Sequence, residues 1–327
     1  VFHEIAGDHW QYYHWLSLLL YAGCGLVGLG FLKRWVFREN LLLSYAAVIF
    51  FLIHPVHVEV VANIKSCDEL MAFLFSMLFL DKFLRWVTAG SKSNLIVSLV
   101  FYAAALLSKE SSALLIMLAP LAAFTLAGSP VLDIFKKSIP VVLLTALFAL
   151  LRLSVSSIPQ VQHDLAAEPY MTATLLQKVA TVFHVLGEYL RLMILPVPLI
   201  FDYGFRHIRY VEFNDASAII SFVIYLILTL AGIWWTFKRR APGFLLLAYV
   251  SGIVILSNLF FNVGPMLAER FLFTPGFFLI AAVVYPFKYV LAANRKRTGT
   301  VAVAAAIGAV CRHAVRRLCR RPSISHR

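Results

Sequence analysis

Apolar runs of roughly 15 to 21 residues recur along the chain, separated by short polar stretches, and this length suits the ~20 residues that cross about 30 Å of hydrocarbon. The pattern predicts about ten helices: Tyr12 to Leu32, Leu41 to Ile53, Leu70 to Trp86, Leu95 to Leu107, Ser112 to Ala127, Ile139 to Arg152, Lys178 to Leu195, Ala216 to Phe237, Phe244 to Phe261 and Phe271 to Val290. Most are apolar on every face, whereas a membrane β-barrel needs strands of about ten residues that alternate. The expected fold is an all-α, polytopic transmembrane bundle of about nine to eleven helices.

Composition agrees. The 327 residues are 61% hydrophobic and only 14% charged, and the mean hydropathy of +0.84 lies outside the range of soluble domains. The net charge of +13 raises nucleic acid as a partner, but the placement of the charges argues against it. Basic residues gather between apolar runs at Lys33/Arg34/Arg38, Lys82/Arg85/Lys92, Lys136/Lys137, Lys238/Arg239/Arg240 and Arg295/Lys296/Arg297. Cytoplasmic loops carry such an excess, so the expected partner is the lipid bilayer and not nucleic acid. Cys24, Cys67, Cys311 and Cys319 show no CxxC spacing, so neither a disulfide framework nor a zinc site is expected.

Strict alternation would put Lys238 to Arg240 on the wrong side unless one run fails to cross. Lys178 to Leu195 is the expected exception, because His184, Glu188 and Arg191 share one helical stripe. With the basic loops inside, the other face receives HPVHVEVVANIKSCDE at His54 to Glu69, SKESS at Ser108 to Ser112, the stretch Ser154 to Gln177, FDYGFRHIRYVEFND at Phe201 to Asp215 and NVGPMLAER at Asn262 to Arg270. The unusual polar sequence thus converges on one face, where short interfacial helices are expected. A transporter keeps charges or broken helices near the midplane. Here most span centres are uncharged, which favours an enzyme acting at the interface.

Within the first of these stretches, a continuous helix over Val56 to Met71 would align Val56, Val60, Ile64, Cys67 and Met71 in one stripe flanked by His57, Lys65 and Asp68 and by Glu59, Asn63 and Ser66. Pro55 fits its first turn. The HxxH of His54 and His57 lacks the i, i+4 spacing of a helical zinc pair. Glu59, Asp68 and Glu69 carry oxygens that could take a hard divalent cation, Mg or Mn.

The segments HPVHVEVVANIKSCDEL, LLSKES, YLRLMILPVPLIFDY and MLAERFLFTP resemble, in that order, segments of the multi-pass C-superfamily glycosyltransferases, in particular the transmembrane O-mannosyltransferases with tetratricopeptide repeats and their bacterial relatives. The resemblance runs from about Tyr12 to Tyr285. It implies inverting transfer of a mannose-like sugar from a polyprenyl-phosphate carrier to a hydroxyl on a protein or glycan acceptor, on the extracytoplasmic side. Such chemistry needs a carboxylate to take the acceptor proton and cations or a metal to hold the phosphate. The expected catalytic acids are Asp68, Glu69 and Glu59. The expected substrate and phosphate contacts are Lys65, Lys109, Glu110, Arg191, Asp202, Tyr203, Glu269, Arg270, His54 and His57, with Arg206 also near that face and Arg270 the foremost phosphate ligand.

This sequence departs from the family pattern at three points. The family looks for its base to an acidic pair in the first outer loop, and this chain, opening at Val1 without a signal-peptide pattern, is read as beginning beyond that loop, with Glu4 and Asp8 poor substitutes. Cys67 stands where the family usually has Arg. No helical repeat array follows the last apolar run within these residues. The expected organisation is a glycosyltransferase-like core over 1–297 and a short apolar segment with an arginine-rich, non-native tail over 298–327. The expected location is the bacterial inner membrane, or the endoplasmic reticulum for a eukaryotic chain. The competing functions are a transporter or flippase of lipid-linked sugars or polysaccharide, and a non-catalytic fragment that binds the lipid carrier.

Overall fold

A computed structural model describes residues 10–155, 170–200, 203, 208–260 and 263–294. Glu4, Asp8, Asp202, Arg206, Arg295 to Arg297, Cys311, Cys319 and the segment 298–327 lie outside the described residues. Each predicted run is helical: α1 Trp10–Phe31, α2 Leu41–Leu52, the short α3 Val58–Ala62, α4 Cys67–Ala89, α5 Lys92–Ser108, α6 Leu115–Thr125, α7 Val131–Val155, α8 Leu175–Ile194, α9 Ala216–Phe237, α10 Ala241–Ile255, α11 Phe273–Val284 and α12 Phe287–Asn294. Among the described residues four helical stretches are long and apolar enough to cross a membrane, Gln11–Val36, Val131–Ser154, Ala216–Phe237 and Glu269–Leu291. Lys92–Ser108, Glu110–Thr125 and Ala241–Ile255 are shorter apolar helices. Leu26, Leu143 and Leu147 stand exposed on the outside of the bundle, where a lipid tail is as good a neighbour as another leucine. The chain is an all-α polytopic membrane bundle.

The expected continuous helix over Val56 to Met71 is corrected. A single turn at Pro55–His57, the short α3 and a turn at Ile64–Ser66 precede α4, and the chain bends by 54° between Leu41–Leu52 and Pro55–Ala62. Asn63 makes the break. Its backbone is extended, and its side-chain oxygen accepts the Lys65 N–H at 3.1 Å, so a local polar bond displaces the next helical one. Val56 and Val60 are still buried, but the residues beyond Asn63 no longer continue their stripe.

Contacts between loops define the two ends of the bundle. Arg38 donates to the Leu126 carbonyl at 2.6 Å, Lys137 to the Val87 carbonyl at 2.8 Å, and Arg239 to the Gly128 carbonyl. Asp81 accepts from Trp35 at 2.9 Å, and pairs with Arg34 and with Arg85 at 3.0 Å. Four of the basic clusters read from the sequence therefore gather at one end. From there α2 runs to His54, α5 to Lys109 and α7 to Arg152, while α11 begins beside Arg270 and returns.

Helix α8 is different. Its N-terminal half meets the chain leading into α9, where Thr181 Oγ1 accepts the Val211 N–H at 3.0 Å, and its last turn meets the α2 exit, where the Met193 carbonyl lies 3.0 Å from His54 Nε2. Both contacts lie at the end opposite the basic loops. Thr174 and Gln177 cap α8 reciprocally at 3.2 and 3.1 Å, and it buries Val182, Val185, Leu186, Tyr189 and Leu192 along one face.

The turn from α9 to α10 is closed tightly. A Cβ on Gly243 would meet the Thr236 nitrogen at 2.4 Å and its Cα at 2.8 Å. Backbone atoms have little room to yield, so Gly243→Ala is expected to destabilise the bundle by about 1–3 kcal/mol. A thermal-unfolding scan in detergent measures this, and an unchanged midpoint would contradict the close approach.

Candidate active site

At the end opposite the basic loops, the bent segment Pro55–Ala62 packs against the turn Glu269–Leu272 that leads into α11. Glu59 joins the two. Its carboxylate accepts the Arg270 backbone N–H at 2.9 Å and the Arg270 Nη1 at 2.6 Å. The Glu59 side chain is 4% exposed and that of Arg270 32%, so the acid is sunk into the fold and the cation reaches outward. A buried carboxylate is tolerated because two donors, one of them charged, satisfy it.

Successive residues around Arg270 are each fixed by a distant partner. Leu267 pairs backbone to backbone with Tyr203, Ala268 donates its N–H to Tyr189 Oη at 3.1 Å, and Glu269 Oε1 accepts from Ile200 N and from Tyr203 Oη, both at 2.9 Å. Burial, then the Glu269 carboxylate, push the Tyr203 phenol well above its ordinary range, so it stays protonated as a donor. Glu269 is itself only 3% exposed, a buried acid like Glu59. Glu59 and Glu269 line one open groove of about 510 Å³ with His14, Asn63, Leu199 and Ile200.

A second acid–cation set stands beside the first. Lys109, at the end of α5, pairs with Glu69 and lies 3.9 Å from Asp68, both in the first turn of α4. Its Nζ is 5.9 Å from the Phe271 ring, and Arg270 Cζ is 5.4 Å from the same ring. Phe271 thus carries both cations. The Glu69 side chain is 6% exposed and that of Asp68 43%, leaving Asp68 the more open acid.

The other predicted residues are placed as follows. Glu110 pairs with Arg152 and not with its neighbour Lys109. Arg191 is held by Glu188 at 2.6 Å and by the Val197 carbonyl at 2.8 Å. Lys65 is exposed, with no carboxylate partner among the described residues. His54 binds the Met193 carbonyl and also caps the Val56 N–H at 3.4 Å. His57 is placed inside the bundle and not at the groove: it is 2% exposed, its ring centroid 4.5 Å from Phe51 and 5.0 Å from Phe273, with Tyr21 Oη 3.3 Å from Nδ1. Apolar rings on either side of Pro55 draw it inward, and it serves as a joint between α1, α2 and α11. Among the described residues no three His, Cys, Asp or Glu side chains group to hold a metal, since Glu59 is turned to Arg270 while Asp68 and Glu69 are turned to Lys109. His14 and Tyr189 were missed by sequence reasoning. His14, in the polar start of α1, lines the groove; Tyr189 stands inside the quoted YLRLMILPVPLIFDY stretch, and its hydroxyl was the available signal.

This arrangement can hold an anion against Arg270 and Lys109 and hydroxyls against the exposed Asp68 carboxylate and the groove-lining Glu269. Similar chains bear on which molecules those are.

The chain is similar to proteins named O-mannosyl-transferases.

It is 29% identical over 248 residues to Protein O-mannosyl-transferase F38B6.6 of Caenorhabditis elegans, covering 74% of this chain and 34% of that protein. To Protein O-mannosyl-transferase TMTC3 of Mus musculus it is 26% identical over 313 residues, covering 83% of this chain and 32% of the mouse protein. The chain therefore spans about a third of the length of the curated relatives it matches. No family model matches it, and no solved structure does.

Proposed function

We propose that this chain is the membrane core of a glycosyltransferase that moves a mannose-like sugar from a polyprenyl-phosphate carrier to an acceptor hydroxyl. The observation that carries the proposal is the pair of cations, Arg270 and Lys109, set on one aromatic ring with their counter-carboxylates beneath them and an acid-lined groove alongside. The similarity to named O-mannosyl-transferases over most of the chain supports it. In the transfer the acceptor oxygen bonds to the sugar C1, the C1–O bond to phosphate breaks with its electron pair on the phosphate, and the hydroxyl proton passes to a carboxylate. Arg270 and Lys109 would hold the phosphate as negative charge develops on it. Glu59 and Glu69 would act as anchors for these cations, leaving Asp68, the more exposed acid, and Glu269, which lines the groove, to meet hydroxyls.

The groove would face the lumen or periplasm, because the opposite end carries the basic loops. Both relatives come from animals, which favours the endoplasmic reticulum over a bacterial inner membrane.

The test is transfer of labelled mannose from a polyprenyl-phosphate carrier to a hydroxyl acceptor, in membranes containing the complete protein. Asp68→Asn and Glu269→Gln are each expected to lower covalent product about a hundredfold with expression unchanged. Full activity in both variants would overturn these roles. Sugar that crosses the membrane without becoming attached to an acceptor would instead support a flippase.

A further inference from the structure

We infer that the basic end of the bundle holds a built site for the phosphate headgroup of an anionic phospholipid, separate from the groove at the other end. A groove of about 1030 Å³ opens there between four chain segments, three of which carry cations. Arg38 comes from the α1–α2 connection, Arg239 and Arg240 from the α9–α10 turn, and Lys288 from α12. One carboxylate, Glu39, lines the same groove. None of these four cations pairs with a carboxylate among the described residues.

Three of the four cations are nevertheless fixed, and by neutral partners. Arg38 donates to the Leu126 carbonyl at 2.6 Å and lies 5.4 Å from the Trp35 ring. Arg239 donates to the Gly128 carbonyl and stands 4.7 Å from Phe124. Lys288 Nζ is 4.1 Å from the Tyr285 ring and 4.9 Å from Tyr289. Arg240 makes no side-chain hydrogen bond among the described residues. Carbonyls and π-faces orient a cation without cancelling its charge, so the groove keeps its positive field and spare N–H donors. Guanidinium groups match phosphate oxygens in geometry as well as charge.

A topogenic role alone asks only for positive charge in a loop. It does not ask that three cation-bearing segments converge on one cavity. The walls also select a lipid over a soluble anion: Leu41, Leu42 and Leu291 line the groove beside the cations, and exposed Phe287 and Tyr289 flank Lys288. An acyl chain lying there continues the bilayer, while the headgroup sits among aromatic rings of the kind found at membrane interfaces.

The test is lipid binding by the full chain in a mild detergent, read by native mass spectrometry with phosphatidylglycerol, phosphatidylcholine and inorganic phosphate as separate probes. Phosphatidylglycerol is expected to bind more tightly than phosphatidylcholine, by about fivefold for each engaged cation. The triple variant Arg38→Gln/Arg240→Gln/Lys288→Gln is expected to lose most of that preference, about a hundredfold, with only the share of Arg239 left. Lys33→Gln/Lys82→Gln/Lys92→Gln removes equal charge from the same end outside the groove and is expected to leave the preference intact. Should the first triple variant fail to fold, Arg240→Gln alone, which breaks no side-chain bond, is expected to weaken phosphatidylglycerol about fivefold. An unchanged affinity in the groove variants, an equal loss in the control, or inorganic phosphate competing as strongly as the lipid would each overturn the site.

Discussion

Replacing Arg270 with glutamine is expected to lower sugar transfer at least about a hundredfold, because in the proposed reaction the departing phosphate would gain negative charge where this guanidinium reaches outward. The same change has a second consequence. Glu59, with its side chain 4% exposed, pairs with this cation at 2.6 Å, and stranding one member of a buried pair typically costs about 3–5 kcal/mol. The partial exposure of Arg270 places the expected loss at the lower end of that range. The double variant Glu59→Gln/Arg270→Gln separates the two effects: the new carboxamide oxygen at position 59 can still accept the backbone N–H of residue 270, so stability should return while transfer stays low. Arg270→Lys should fall between, since an ammonium keeps the charge but loses the planar fork. Thermal midpoints and transfer rates for the three variants provide the check, and full transfer in Arg270→Gln would remove the residue from the phosphate site.

How far the sequence revealed this arrangement depends on the range of the interaction. The helices were legible because an apolar run of membrane length has little alternative to a helix in lipid. The convergence of polar motifs at one end was legible for the same reason, since alternating spans force alternate loops together. The bond from Glu59 to Arg270 was not. It joins residues far apart in the chain, and each looked like an ordinary interfacial charge. Asn63 was misread because a helical stripe through it was good on paper, and only the competition from its own side chain reveals the break. His57 was misplaced since its burial depends on Phe273, supplied by a helix near the other end of the sequence. Asp81 stands as a single acid at the end of an apolar run, with nothing local to mark its role, yet it gathers Arg34, Trp35 and Arg85 at the basic end.

The second cation offers the sharper distinction between support and chemistry. Lys109→Met is expected to cost roughly 3–5 kcal/mol, because Glu69 would remain buried without its partner. Loss of transfer in that variant alone proves little, as an unfolded bundle transfers nothing. Glu69→Leu/Lys109→Met removes both charges and fills the space with apolar side chains, an exchange that is often neutral for a buried pair. Stability is therefore expected to recover. If Lys109 holds the donor phosphate, transfer should stay depressed, with KM for the polyprenyl-phosphate sugar raised about tenfold or more, the weight of a charge-assisted hydrogen bond of ~1.5–3 kcal/mol. If Lys109 only ties α5 to α4, the double variant regains the parent KM along with its melting temperature. That second result would leave Arg270 as the phosphate cation within the described residues, with Lys109 reduced to a strut beneath Phe271.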